Sequence, residues 1–279
     1  MNTTKQLIRV AEYGPSDGNL VIYFHGVPGS PEDSEIFSFE AEAHNLRFIC
    51  LDRFSIDSSI RGEAYYKLLA QEILRIADGK KIDIVGFSIG AFVATQICRH
   101  LQSQVRGLHL ISAAAPLEVG DYLDKMAGKQ VFRLAKNYPN LFCLLSYWQA
   151  FVALVYPKAL FGLLFASAVG KDKDLAANHE FQSDMIKSLK SCFLRGARGY
   201  IRDIDAYVRP WQQSLQQVKV NHTYIWHGSE DNWSPKSMAD YFESAIPGQT
   251  SLKVFEGLSH YSCLNNSIPV ICKLLANSK

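Results

Sequence analysis

The sequence has almost no net charge and no membrane-length apolar run. Its 29 basic and 27 acidic residues give a formal charge of +2 over 279 residues, so no strong positive field favours nucleic acid. A membrane span needs about 20 uninterrupted apolar residues, and the most apolar stretch, Leu141–Tyr156, stops at Pro157 and Lys158. We therefore expect neither nucleic-acid binding nor a stable membrane span.

Cysteine-pair and cofactor motifs are also missing. The six cysteines include no Cys-x-x-Cys pair, and a chain of this length does not need disulfides. Cys50 and Cys98 lie in apolar runs and are expected to be buried thiols. Met1–Val10 lacks the apolar segment of a signal peptide. These features favour a reducing, cytoplasmic location.

Metal and nucleotide signatures are absent as well. There is no G-x-G-x-x-G, no phosphate loop and no His-Glu-x-x-His. His222 with His227 provides too few ligands for a metal site. We therefore expect no cofactor and no metal.

Short β-rich runs alternate with longer amphipathic runs. This alternation predicts an α/β fold with a mostly parallel, doubly wound sheet, with Leu7–Tyr13 as a candidate antiparallel edge strand. The other predicted strands are Leu20–Phe24, Arg47–Leu51, Ile82–Val85, Leu108–Ile111, Thr223–Trp226 and Leu252–Phe255. The predicted helices are Pro31–His44, Glu63–Ala77, Ile89–Leu101, Pro235–Ala245 and Ile268–Leu275.

The stretch from Leu117 to Pro210 breaks this alternation, because it is helical and aromatic with no convincing strand. It predicts a helical lid, residues 117–210, inserted into an α/β core formed by residues 1–116 and 211–279. Packing of the lid helices on the core is the favoured interpretation. Weak contact of the lid with a lipid interface or an acyl carrier is the alternative.

Ser88 lies in the motif Gly86-Phe87-Ser88-Ile89-Gly90, between a predicted strand and a predicted helix. A serine on such a sharp turn has strained backbone angles, and the start of the following helix offers free N–H groups beside the hydroxyl. This context predicts a nucleophile. The alternative is an ordinary turn whose serine caps the helix.

A serine nucleophile needs a base, and the base needs an orienting acid. His260 follows the last predicted strand, which places it at the same sheet edge as Ser88. Asp231 follows the strand before, between a glycine turn and a proline-started helix. The hypothesis is therefore a Ser88–His260–Asp231 triad, with Glu230 and Glu118 as alternative acids.

The segment after the first parallel strand, His25-Gly26-Val27-Pro28-Gly29, is predicted to turn backbone N–H groups towards the site. The expected oxyanion hole consists of the N–H groups of Val27 and Ile89. The expected substrate-lining residues are His25, Phe87, Trp148 and Phe151. Phe132, Phe161 and Phe165 are further candidates for an acyl pocket, although each one alone is more typical of the lid core.

Basic residues recur at helical spacing late in the predicted lid. A solvated helix face paired with Asp203 and Asp205 is favoured for them over a grip on an anionic substrate. These residues are Arg195, Arg198 and Arg202, with Arg209 beyond.

The combined pattern resembles the α/β-hydrolase superfamily, in the family order Ser, Asp, His. The motifs that carry the resemblance are His25-Gly26-x-Pro28-Gly29, Gly86-x-Ser88-x-Gly90, His227-Gly228-x-x-Asp231 and Gly257-x-x-His260. One departure is that the family's D-R-x-G-x-G-x-S loop here has Ser55 and Asp57 in place of both glycines. Ser88 argues against the halide and epoxide chemistry of relatives with an aspartate nucleophile.

The resemblance implies a serine hydrolase that cleaves an ester-type acyl bond of a small-to-medium apolar substrate. Hydrolysis of a carbon–carbon bond next to a ketone, or of an acyl thioester, would use the same triad. A sensor of a small ligand on the same scaffold is the non-enzymatic alternative.

Overall fold

A seven-stranded sheet forms the centre of the computed structural model, which describes residues 8–277. The strands are β1 (Val10–Tyr13), β2 (Asn19–Phe24), β3 (Leu46–Leu51), β4 (Ile82–Phe87), β5 (Val105–Ile111), β6 (His222–Gly228) and β7 (Gln249–Phe255). Their order is β1-β3-β2-β4-β5-β6-β7, and only the β1–β3 pair is antiparallel. The predicted mostly parallel α/β sheet is confirmed. Leu7, the first residue of the predicted edge strand, lies outside the described residues.

Both faces of the sheet are covered. On β2, Leu20, Ile22 and Phe24 point into one apolar cluster, while Val21 and Tyr23 point into the other. A strand buried on both faces has no polar face, which explains the near-continuous apolar sequence of β2.

The helices of the core pack on these two faces. α2 (Gly62–Ala77), α3 (Ile89–Leu101) and α11 (Lys236–Ala245) contribute buried residues to the cluster on one face. α1 (Ser38–Ala43) and α12 (His260–Asn277) contribute to the cluster on the other. This arrangement is the doubly wound α/β fold that the sequence predicts. The buried thiols expected at Cys50 and Cys98 are also confirmed.

Two predicted helices have different bounds in the structure. The segment predicted as one helix, Pro31–His44, is a 3₁₀ helix at Pro31–Phe37 followed by α1. The helix predicted from Ile268 begins at His260, and it continues through Pro269. Proline usually ends or kinks a helix, which is why the pattern did not indicate the first two turns of α12.

Seven α-helices lie between β5 and β6 in the described chain, and we call the first six the helical insertion. They are α4 (Lys129–Asn137), α5 (Pro139–Val155), α6 (Pro157–Phe165), α7 (Asp172–Ala177), α8 (His179–Phe193) and α9 (Arg198–Tyr207). A short helix, α10 (Gln212–Leu215), follows them. Phe132, Phe142 and Phe193 join the insertion to the same apolar cluster as α2 and α3. From residue 8 to residue 277, no helix has the length and apolar character needed to cross a bilayer.

Candidate active site

Ser88 occupies the turn between β4 and α3 with strained backbone angles, φ 56° and ψ −126°. A positive φ is uncommon for a residue with a Cβ, and such outliers concentrate at functional sites. The backbone of β5 holds the turn in place, because the Ser88 N–H donates to the Ile111 carbonyl over 3.0 Å. The sharp turn expected around Ser88 is therefore present.

The two glycines of the motif leave no room for a side chain. A Cβ on Gly90 would lie 2.1 Å from the Phe24 carbonyl oxygen, and one on Gly86 would lie 2.6 Å from the Ala91 Cα. Both neighbours are backbone atoms, which cannot move aside without shifting the sheet. Glycine at position 90 therefore lets the turn approach the end of β2, and glycine at position 86 lets α3 start close to β4.

His260 and Asp231 form a buried pair at the same edge of the sheet. The ring Nδ1 of His260 lies 2.8 Å from Oδ2 of Asp231, and both side chains are almost fully buried. A carboxylate accepts, so Nδ1 carries the proton and Nε2 has a free lone pair. Within the described part of the chain, no group hydrogen-bonds to that Nε2.

Asp231 is held as an anion although it is buried. Its second oxygen, Oδ1, accepts the backbone N–H groups of Trp233 at 2.9 Å and Ser234 at 2.8 Å. Burial raises the pKa of Asp231, but the adjacent His260 and His227 together with the Ser234 N–H outweigh it and lower the pKa below its ordinary value. Asp231 therefore presents a fixed negative charge to the His260 ring.

Two contacts bring His260 to the turn that carries Ser88. The ring of Phe87, the residue before Ser88, packs on the His260 ring with centroids 4.8 Å apart. Ser112, which follows β5, donates its hydroxyl to the His260 carbonyl over 3.2 Å. The structure thus joins His260 to Asp231 and places both at the same sheet edge as Ser88, after the carboxyl ends of the parallel strands β4, β6 and β7.

A hydrogen bond from the His25 ring fixes the direction of the backbone N–H of Val27. Burial and nearby Arg53 lower the pKa of His25 well below its ordinary value, so its ring is neutral and its Nδ1 donates to the Gly26 carbonyl over 2.7 Å. In a trans peptide the N–H points opposite to the carbonyl, so the Val27 N–H points away from His25. Gly26 packs beside Ser88, where its Cβ would lie 3.4 Å from that of Ser88.

Arg53 ties the same segment to the helical insertion. Its Nη2 donates to the carbonyls of His25 at 2.9 Å and Gly26 at 3.4 Å, and its Nε donates to Asp203 of α9 over 2.7 Å. Arg53 and Asp203 are both fully buried. The loop Asp52–Ser59 keeps the Arg of the family pattern, and this residue, Arg53, forms an ion pair that anchors the insertion beside Val27.

Arg202 does not lie on the expected solvated helix face. It is almost fully buried, donates to the Arg53 carbonyl over 2.6 Å and lies over the Tyr65 ring. Arg209 does pair with Asp205 at the surface, over 2.9 Å, and Arg195 and Arg198 are exposed. Helical spacing alone could not separate Arg202 from the other three, because the loop it packs against is distant in sequence.

A small apolar cavity lies between the insertion and the candidate site. Val27 and Trp233 line its floor, and Phe132, Leu160, Leu164 and Ile204 are among the insertion residues that line its walls. Two of the lining residues have a buried polar atom without a partner in the described chain, namely Oε1 of Gln149 and Nε1 of Trp233. The cavity could therefore give a mainly apolar substrate one acceptor and one donor.

None of the four expected substrate-lining residues lines this cavity. Trp148 and Phe151 are 49% and 57% exposed on the outer side of α5, because the helical period turns Gln149 inward instead. His25 and Phe87 are buried, packed on Phe54 and His260 respectively. Phe161 and Phe165 stack on each other inside the insertion, whereas Phe132 is a wall residue.

Asp172 is a site residue that the sequence analysis missed. This fully buried residue of α7 accepts the backbone N–H groups of Tyr261 at 3.0 Å and Ser262 at 2.8 Å, in the first turn of α12. The residue before α12, Ser259, has a buried hydroxyl with no partner among the described residues, so it does not cap the helix. No sequence signal near Asp172 could indicate this contact, because its partners lie 89 and 90 positions away.

The alternative acids have other roles or positions. Glu118 accepts the backbone N–H groups of Trp211 at 2.7 Å and Gln212 at 2.6 Å, at the start of α10. Glu230 is exposed. Among the carboxylates that the structure describes, only Asp231 is hydrogen-bonded to the ring of His260.

The sheet order and the strained turn at Ser88 together define an α/β-hydrolase fold. A family model described as the alpha/beta hydrolase fold matches residues 19–267, and the chain belongs to this family.

Solved structures agree with this fold along nearly the whole chain. A bromoperoxidase from Bacillus anthracis is similar with a TM-score of 0.71 and 16% identity, covering 95% of this chain and 94% of its own. An esterase from Exiguobacterium antarcticum has a TM-score of 0.60 and 20% identity, with 95% of both chains covered. A hydrolase from Oleispira antarctica has a TM-score of 0.65 and 16% identity, covering 97% and 95%. A search of curated proteins finds no match.

Proposed function

We propose that the protein is a serine hydrolase that cleaves an ester-type acyl bond of a small-to-medium apolar substrate. The observation that carries the proposal is the buried His260–Asp231 pair beside the strained turn of Ser88. A buried imidazole whose Nδ1–H is bound to a carboxylate has its other nitrogen available as a base. The names of the structural neighbours, an esterase and a hydrolase among them, are consistent with this class of reaction.

In the proposed reaction, Nε2 of His260 takes the proton of the Ser88 hydroxyl while Oγ attacks the carbonyl carbon of the substrate. The carbonyl becomes an oxyanion, which the N–H groups of Val27 and Ile89 stabilise. The intermediate collapses, and the alcohol leaves with the proton from His260. Water then attacks the acyl-enzyme in the same way, which releases the acid and restores Ser88.

Residues 117–210 act as a lid over this chemistry in our proposal. The walls of the cavity come mainly from α4, α5, α6 and α9, and they are apolar apart from Gln149 and Tyr200. Such walls favour an apolar acyl or alcohol group next to the bond that is cleaved. Equal rates on short polar and on long apolar esters would contradict this part of the proposal.

The test is labelling with a fluorophosphonate, followed by a panel of esters of increasing chain length. The wild-type protein should be labelled on Ser88 and should turn over at least one ester, and Ser88→Ala should lose both properties. A wild-type protein that is neither labelled nor active would instead indicate a sensor. Thioesters and diketones in the same panel distinguish the two other reactions that this triad could perform.

A further inference from the structure

α5 has an unusual exposed face. Its 17 residues include no charged side chain, and helices of this kind are normally buried on all sides. Here one side packs inward, but the opposite side is open to solvent over its whole length. We call this side the α5 face; its members, each 44–68% exposed, are Leu141, Leu144, Trp148, Phe151, Leu154 and Val155.

The surroundings of the α5 face are positively charged. Between Asp124 and Asp172 the sequence contains six lysines and arginines and no carboxylate. Lys136 precedes α5 and Lys158 follows it; both are exposed, and neither has an ion-pair partner among the residues described. Midway along the helix, exposed Arg198 donates to the hydroxyl of Tyr147. Cations thus lie at both ends and at the middle of an apolar strip.

We propose that the α5 face docks on an anionic lipid surface. An apolar strip with interfacial aromatic residues, flanked by lysine and arginine, suits the boundary between acyl chains and negative headgroups. In this proposal α5 lies in the plane of the interface. Trp148 and Phe151 enter the acyl region, while Lys136, Lys158 and Arg198 contact headgroups.

A second copy of the chain is a poorer occupant of the α5 face. A twofold interface between two α5 faces would bring the two sets of cations together, and Asp57 near Arg198 would balance only part of this charge. An anionic membrane instead supplies the opposite charge and an apolar phase together. The excess of positive charge around the α5 face is therefore the observation that favours an anionic lipid surface over a second copy of the chain.

Docking there would bring lipid close to the cavity. Gln149, on the inner side of α5, lines the cavity that reaches Val27. The lipid and the cavity would then be separated by one helix, about 10 Å thick. The inference does not depend on the proposed function, because binding can be measured on a protein without activity.

Flotation with vesicles tests the proposal on the full chain. Wild-type protein should float with vesicles of phosphatidylcholine mixed with phosphatidylglycerol, and only weakly with phosphatidylcholine alone. Lys136→Gln and Lys158→Gln should each lower the partition coefficient about fivefold. Leu144→Ser combined with Phe151→Ser should lower it at least about tenfold.

Matched variants at other exposed positions test whether a loss of flotation is specific to the α5 face. Phe39, on α1, is 80% exposed, and Lys219 is exposed before β6. Phe39→Ser and Lys219→Gln should leave flotation unchanged. Circular dichroism and the melting temperature should match the wild type in all variants.

Trp148 supplies a direct readout, because Trp211 and Trp226 are buried and Trp233 is only partly exposed. Its fluorescence should shift to shorter wavelength with anionic vesicles and should be quenched by lipids brominated on the acyl chains. Absence of flotation at every composition would overturn the proposal. So would a dimer, seen by sedimentation, that Leu144→Ser with Phe151→Ser dissociates, or binding to an acidic carrier protein but not to vesicles.

Discussion

The Asp172 carboxylate accepts the backbone N–H of Ser262 over 2.8 Å and so caps the helix that begins at His260 from a different part of the chain. A residue of the insertion therefore helps to hold the backbone of the candidate base, His260, in place. Asp172→Ala should leave two N–H groups in the first turn of α12 without an acceptor and release the backbone of His260. We expect ester turnover, measured as kcat, to fall about tenfold or more with KM little changed.

Asp172→Asn distinguishes positioning from mere stability. The amide keeps one acceptor oxygen, so kcat should be intermediate between wild type and Asp172→Ala. Both variants should lose about 1 kcal/mol of unfolding free energy, typical of a lost cap. If Asp172→Ala loses stability in urea while kcat stays at the wild-type value, Asp172 has only a structural role.

Ser88→Gly should stabilise the protein while removing its activity. Glycine adopts the positive φ of residue 88 without strain, and relief of such strain should add about 1 kcal/mol to the free energy of unfolding. The measurement is urea unfolding beside Ser244→Gly, at an exposed position in α11. The control should be destabilised, because glycine is unfavourable within a helix. Equal destabilisation of both variants would mean that the turn stores no strain.

Asp203→Ala should be severely destabilising. It leaves the guanidinium of Arg53 buried without its carboxylate, and breaking a buried pair in this way costs about 3–5 kcal/mol. Asp205, on the same helix, pairs with Arg209 near the surface, so Asp205→Ala should cost about 0.5 kcal/mol. Thermal and urea unfolding of both variants measure the difference. Similar losses in the two would refute the role given to the Arg53–Asp203 pair.

His109→Phe should make the protein less sensitive to acid. Burial, with a smaller effect of His222, lowers the pKa of His109 to about 3, against about 6.5 in the unfolded chain. Between these pH values the unfolded chain binds one more proton than the folded chain. The free energy of unfolding is therefore unaffected by His109 above pH ~6.5 and decreases as the pH falls towards ~3. A phenylalanine keeps the ring that stacks on Tyr224 and takes up no proton.

Urea midpoints at pH ~7.5 and ~5 measure this effect, and the wild type should lose about 2 kcal/mol more than His109→Phe between them. His179 is exposed at the start of α8. His179→Phe is therefore the matched control and should behave as the wild type. An identical loss in His109→Phe and the wild type would contradict a buried, neutral His109.

Short sequence patterns were sufficient to predict the sheet and to predict that Ser88, Asp231 and His260 follow the ends of strands. Each of these residues follows a strand within a short motif, and parallel strands bring their carboxyl ends to one edge of the sheet. Contacts made across the chain were not predictable. Arg53 and Asp203 are 150 positions apart, and their pairing depends on how the insertion packs rather than on either local sequence.

The direction of α5 was not predictable for a different reason. Its sequence is apolar all around, so its periodicity does not indicate which side faces the protein. Trp148 and Phe151 were expected to line the substrate site. In the structure they face outward, and Gln149 lines the cavity instead. Two polar residues of this apolar run, Ser146 and Gln149, are on the inward side.

A Cβ on Gly90 would lie 2.1 Å from the Phe24 carbonyl oxygen, so any side chain there would push the Ser88 turn away from the end of β2. Changes of substrate preference are then expected in the helices of the insertion that line the cavity, rather than at this turn. Chimeras that exchange residues 117–210 between members of the family should therefore transfer selectivity, provided that they keep Asp172 and Asp203, which hold the start of α12 and Arg53.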